Sequence, residues 1–420
     1  MKQLSFPFPF GSKYSLSCVA EMDFDGSRYF TLNRIMLSSV GLWPYQNKWH
    51  VRIQRMFCLL SFLSCIIVQL FTFLTLEYNL DLLVEVLSFI FPCLIVILKY
   101  TTYWAKIKSI KKLMEMIKYD WNTIRNEVEY EIIKKHTYTG AFYSQIFAVM
   151  TYTMPTFIAF MHLIPNFLDF VAPLNQSRPH HWLILTEYFV DSDEYFYPIF
   201  LHLIANLFLI QNTLMSTTSI YVAFIQHTCG MFEIASYRIE HALNNYKQRN
   251  LMFGRRCSTC TKIISAVDIH RRVIEFFEFL KETFIVMYFF LLGLGIASLT
   301  VSLYRAVITK GIIKNIMPIT CVFIHIFYFI FVTYSGQKVL NHSNDFLLRT
   351  YNSNWYMMPL HSQKLMLFVI KRSLKNCILL VGGIFVASLE GFATVILFFS
   401  FFNNDVTTYV PTSLQMHILF

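Results

Sequence analysis

The sequence is poor in charge: Asp, Glu, Lys and Arg make up 14% of its 420 residues, against about a quarter in a soluble domain. So few charges exclude a water-soluble monomer, whose surface would expose large apolar patches. Cysteine supplies no framework. Of the nine, Cys58, Cys65, Cys93 and Cys321 lie inside apolar runs, where a small polarizable side chain packs, and no regular spacing marks a disulfide-held domain. Met1 to Phe10 hold one lysine and Phe-Pro repeats but no unbroken apolar stretch, so no cleaved signal is expected and the first span serves as its own insertion signal. The one metal-like spacing, Cys257-x-x-Cys260, has no second pair, which argues against zinc there and leaves no metal or cofactor expected. Basic residues lie between apolar runs rather than on one water-facing surface, which excludes nucleic acid as a partner.

What the chain has is length in apolar runs. Hydrophobic residues make up 55% and aromatic ones 17%. Seven stretches suffice to cross roughly 30 Å of hydrocarbon as helices: 55–76, 82–103, 140–164, 197–225, 283–304, 315–336 and 378–402. They are apolar on all sides, unlike the short alternating segments of a membrane β-barrel. The spacing predicts an all-α membrane protein of seven transmembrane helices. Residues 1–54 form a segment before the first span, 55–402 the transmembrane domain, and 403–420 a tail.

Lysine and arginine set the orientation. Of the 35, 31 fall before the first span and in the second, fourth and sixth connections, and four fall on the other side. Positive segments stay in the cytosol, so the amino terminus is expected inside and the carboxyl terminus outside. The third connection carries Asp169, Glu187, Asp191, Asp193 and Glu194, and Asn175-Gln176-Ser177 is the sequon on the predicted outer face, making Asn175 the expected glycosylation site. Asn341-His342-Ser343 falls in a cytosolic segment and is expected to be inert.

This topology excludes a G-protein-coupled receptor, whose amino terminus lies outside. The acidic-Arg-aromatic triplet of a third span and an Asn-Pro-x-x-Tyr run in a seventh are missing as well. Seven spans without an internal repeat do not divide into the paired halves of a transporter, and no catalytic constellation is visible. The extensions 226–282 and 337–377 are helical in period: Ala235, Ile239 and Ala242 share one face with Leu243 and Tyr246, and Ile263, Val267 and Ile274 share another. Such basic amphipathic helices lie on a membrane or form a cytosolic helical anchor.

Two segments carry a resemblance. Leu32-Asn33-Arg34 through Gly41-Leu42-Trp43-Pro44 resembles the amphipathic helix that leads into the first span of insect odorant receptors. The stretch with Tyr351, Trp355-Tyr356, Leu365 to Ile370, Arg372-Ser373, Gly382-Gly383, Ser388-Leu389-Glu390 and Phe392 is similar to that family's last cytosolic helix and last span. The resemblance implies an odorant-binding subunit of a ligand-gated, non-selective cation channel. It implies a heterotetramer with an obligate odorant co-receptor subunit in the plasma membrane of sensory-neuron dendrites. Four copies of the last span would surround the pore, and extensions of helices four to seven would form the anchor. The ligand pocket would lie in the outer half, among spans two to six. The chain departs from the family pattern where Phe398-Phe399-Ser400-Phe401-Phe402 runs into Asn403-Asn404-Asp405 and on to Phe420. A gustatory-type receptor, faintly echoed in Thr408-Tyr409 and Gln415, and a non-conducting membrane scaffold remain the alternatives.

A small, volatile, mostly apolar ligand needs aromatic and aliphatic walls. Tyr152, Thr156 and Phe160 share a face of the third span; Phe200, Leu203, Asn206 and Leu207 lie in the fourth, Phe89 in the second, and Thr320 and Phe323 in the sixth. Such stripes also fill ordinary helix contacts. Pro92 and Pro155 each remove a backbone hydrogen bond, and the resulting kinks open space between helices. Glu390, with Thr394 and Phe398 at four-residue spacing, is the pore or gating candidate. A carboxylate at mid-membrane costs at least about 2.5 kcal/mol and must face a helix or water. Glu85 and Lys99, near the ends of span two, are expected to snorkel.

Overall fold

Two helices start where the sequence places an asparagine cap. Asn47 accepts from the Trp49 amide at 3.3 Å and opens α2, Lys48–Leu70; Asn79 accepts from Leu82 at 2.7 Å and opens α4, Leu80–Ala105. Between them lies the single turn α3, Thr72–Thr75, and before them α1, Thr31–Ser39. These observations come from a computed structural model, which describes residues 26–171, 182, 184–249, 256–309, 311–381, 385–391 and 393–394.

Helix α1 ends in a glycine cap. Gly41 has φ of 71°, the Leu42 amide donates to the Leu37 carbonyl at 2.8 Å, and the Gly41 amide donates to Ser38 at 3.3 Å. The left-handed residue turns the chain so that Leu42 and Trp43 bury. Tyr100 then donates to the Val40 carbonyl at 2.9 Å and Arg55 to that of Gly41 at 2.9 Å. The segment that resembled the family's lead-in helix is thereby bolted to the first two spans.

The remaining helices are α5, Ile107–Thr123; α6, Glu127–Val171; α7, Phe196–Arg249; α8, Arg256–Ile308; α9, Ile312–Tyr351; and α10, Leu360–Ser373. Among the described residues six helices are long and apolar enough to cross a membrane: α2 with α3, α4, α6, α7, α8 and α9. Helix α7, 54 residues long, runs roughly 80 Å at 1.5 Å per residue, far beyond one bilayer. It is the hub of the bundle, touching α1, α2, α4, α6, α8 and α9.

Below the membrane-length stretches, the excess of α6 to α9 joins α5 and α10 in one apolar core containing Phe224, Phe232, Phe276, Phe277 and Phe346. The faces predicted over 226–282 meet inside this core: Ala235, Ile239, Ala242 and Ile263 are buried within the single chain. Leu243 and Tyr246 have side chains outside the described set. In the same core, burial pushes the His270 imidazole down to about 4, and the neutral ring stacks on Phe346 with centroids 4.0 Å apart.

Within the seventh predicted span, 378–402, helix is described only at 389–391 and 393–394. Upstream, Leu380–Val381 (β1) and Phe385–Val386 (β2) pair antiparallel, with Leu380 opposite Val386. The sequence explains the departure from a helix beginning at 378. Gly382-Gly383 is a hairpin signal, each glycine costs a helix about 1 kcal/mol, and the flanking Val381, Ile384 and Val386 favour strands. Helix α9 approaches this segment so closely that a side chain at Gly336 would collide with the Ala387 carbonyl. Asn175, Phe398, Gly382-Gly383, Phe392 and the tail 403–420 lie outside the described residues.

Candidate ligand-binding site

An apolar cavity of about 220 Å³ opens between the helices. Its walls come from α4, α6, α7, α8 and α9, the second to sixth predicted spans, with Cys65 and Gln69 of α2 closing one side. An apolar cavity of about 150 Å³ holds benzene, so this one suits a single substituted ring or a short chain.

Both transmembrane prolines singled out by sequence, Pro92 and Pro155, line the cavity. Ile184, from the segment between α6 and α7, buries against Phe89, Ile158 and Met317 and covers one end. Hydrogen bonds pin that cover. The Glu187 amide donates to the Val68 carbonyl at 2.9 Å, Thr75 donates to the Glu187 carboxylate at 2.9 Å, and Tyr188 meets His202 Nδ1 at 2.7 Å.

Of the ten ligand-contact residues expected from sequence, Phe89, Leu203 and Leu207 line the cavity and seven do not. Phe160 and Phe323 point outward, 64% and 68% exposed. Tyr152 donates to Asn212 at 3.1 Å and approaches Met36 of α1. Thr156 donates back to the Tyr152 carbonyl, and Thr320 to that of Ile316. Phe200 stacks on Phe196 beyond the cavity's end, and Asn206 donates to the His202 carbonyl at 2.9 Å.

The difference is one of helical phase. On α6 the lining residues are Phe147, Met150, Thr151, Pro155 and Ile158, one or two positions from the expected stripe, and one residue rotates a helix face by about 100°. On α9 they include Met317, Cys321, His325 and Tyr328, again out of phase with Thr320 and Phe323. From α8, Tyr288, Leu291 and Gly295 contribute, and sequence reasoning named none of them. Apolar on all sides, these helices carry no signal that tells a cavity face from a lipid face.

Few polar groups reach this space. Gln69, buried, has its Oε1 without a hydrogen-bond partner among the described residues. His325 donates from Nδ1 to the Cys321 carbonyl at 2.7 Å, which leaves Nε2 as an acceptor in the neutral ring. At the floor, Tyr328 is shared with a buried cation. Lys99, 2% exposed, donates to Thr218 at 2.9 Å and to the Tyr328 hydroxyl at 3.1 Å. The expected snorkelling does not occur: α4 faces α7 and α9 there, and the ammonium donates to two hydroxyls. Glu85, partly exposed, is ion-paired. Its carboxylate holds Arg305 of α8 at 2.7 Å, and Arg305 also donates to Ser88 at 2.8 Å.

Of the pore candidates, Glu390 is exposed and Thr394 donates to its carbonyl at 3.0 Å.

The described helices form a bundle of membrane-spanning length around a small apolar cavity. The sequence pattern described as 7tm Odorant receptor matches residues 79–399, and the chain belongs to that family. It is an odorant receptor and a multi-pass membrane protein, not an enzyme. The fold is similar to that of the insect olfactory receptor OR5 from Machilis hrabei in complex with eugenol, with a TM-score of 0.68 at 13% identity over 93% of this chain and 97% of that one. For the same receptor in a structure described without eugenol, the TM-score is 0.65 at 13% identity, over 89% and 95%. No curated protein sequence matches.

Proposed function

We propose that the cavity is the odorant pocket of a ligand-gated cation channel subunit that assembles with a co-receptor subunit in the plasma membrane of olfactory neuron dendrites. The apolar cavity between the second to sixth spans carries the reading, together with family membership. The relative that shares the fold was solved with eugenol. The preferred ligand is a small apolar molecule with one hydrogen-bond donor, because Gln69 Oε1 and His325 Nε2 offer acceptors in an otherwise apolar site. A buried acceptor left unpaired costs about 1–3 kcal/mol, so a hydroxyl-bearing ligand should be preferred over its deoxy analogue by about 5- to 150-fold.

Expressed with a co-receptor and challenged with an odorant panel, the chain should give ligand-evoked cation current that is lost without the co-receptor. Normal surface delivery with no current for any ligand would favour the scaffold alternative. Orientation is tested in the same cells. The proposed cytosolic amino terminus, with Asn175 glycosylated outside, requires an epitope placed before Met56 to be hidden until the membrane is permeabilised. Surface staining of that epitope on intact cells, or sugar on Asn341, would reverse the topology.

A further inference from the structure

We propose that His136 of α6, Glu233 of α7 and His342 of α9 form a binding site for a divalent transition-metal ion of the zinc class, clamping three helices in the anchor region. One nitrogen or oxygen from each residue lies within 4.8 Å of the others. Two imidazoles and a carboxylate are a zinc donor set that leaves a fourth position for water. Both His136 and Glu233 are largely withdrawn from solvent, and the His342 ring stands edge-on to His136 with centroids 5.2 Å apart.

Hydrogen-bonding geometry at His136 supplies the second argument. Its Nε2 lies 2.6 Å from Glu233 Oε2, and its Nδ1 lies 3.4 Å from Gln226 Oε1. Both neighbours are acceptors, so the imidazole serves both either with an N–H on each nitrogen or with a cation in place of the Nε2 proton. A metal ion at Nε2 takes the second role. Nδ1–H then donates to Gln226, the outer partner that fixes the tautomer of a ligating histidine, and the Nε2 lone pair and the carboxylate both turn to the ion.

The backbone is shaped for the same contact. Gln226, Gly230 and Glu233 recur on one face of α7, and a Cβ at Gly230 would press on Ile133 at 3.0 Å and on His136 at 3.3 Å. On α6, a Cβ at Gly140 would meet Gln226 at 3.3 Å. Lys338, one turn before His342, is drawn off to the Tyr143 hydroxyl at 3.2 Å. No motif could have announced the site, since His136 and Glu233 stand 97 residues apart and His342 lies on a third helix.

The test uses the purified full-length chain, stripped with a chelator and titrated with zinc alone. The expected result is one saturable ion per chain and a raised melting midpoint. Binding should be lost in H136A and H342A and weakened about 10- to 100-fold in Q226L. Zinc-edge absorption on the unmutated protein needs no folded variant, and it should show only nitrogen and oxygen neighbours at about 2.0–2.2 Å. The proposal is overturned by absence of saturable binding to folded protein. Undiminished binding in a folded H136A/H342A double variant would overturn it too, as would sulfur neighbours, which would move the ion to Cys257 and Cys260.

Discussion

Leu207→Trp raises the half-maximal concentration of any activating ligand about 100-fold, about 2.8 kcal/mol at roughly 1.4 kcal/mol per tenfold, while Phe160→Ala and Phe323→Ala leave it unchanged. Leu207 is partly buried, packed against the Phe89, Ile158, Ile184 and Met317 cluster and facing the cavity. An indole there occupies much of a 220 Å³ space that a ligand must enter. Core overpacking costs typically about 1–3 kcal/mol, which the void absorbs, so the folded receptor should still reach the surface. Phe160 and Phe323 are the informative controls, because both looked like pocket residues in the sequence and both face outward. The measurement is a dose–response series on receptor delivered to the membrane in equal amounts. Equal sensitivity in all three variants would remove the cavity from ligand recognition.

Asp120→Ala produces the largest loss of stability expected of a single substitution here, about 3–5 kcal/mol, the usual cost of removing one partner from a buried ionic group. Asp120, on α5, is 5% exposed. His227 of α7 donates to its Oδ2 at 3.1 Å and Arg272 of α8 to its Oδ1 at 2.8 Å. One carboxylate therefore ties three helices below the membrane stretch, and its loss strands a guanidinium and an imidazole away from water. Asp120→Asn should fall between, since an amide oxygen still accepts. Glu115→Ala, which removes only the exposed pair with Lys111 at 3.9 Å, should cost about 0.3–0.5 kcal/mol. Thermal unfolding of the purified chain orders the variants, and a melting midpoint for Asp120→Ala no lower than that of Glu115→Ala would refute the tie.

The membrane character, six of the seven expected helical spans and the lead-in segment from Leu32 to Pro44 were legible in the sequence. Each rests on local chemistry: run length against hydrocarbon thickness, and a glycine where the backbone turns left-handed. The helix-interior prolines Pro92 and Pro155, both lining the cavity, were legible for the same reason. Only the tertiary structure decided which face of each helix lines the cavity. In lipid every face of a span is apolar, and no polar stripe marks off the side that meets a neighbouring helix from the side that meets solvent. It alone decided that Lys99 is buried beside Tyr328, that Glu85 belongs to Arg305, and that Asp120 gathers His227 and Arg272 from 107 and 152 residues away. Such pairings depend on how helices are arranged around α7, and a periodicity confined to one helix carries no record of its neighbours.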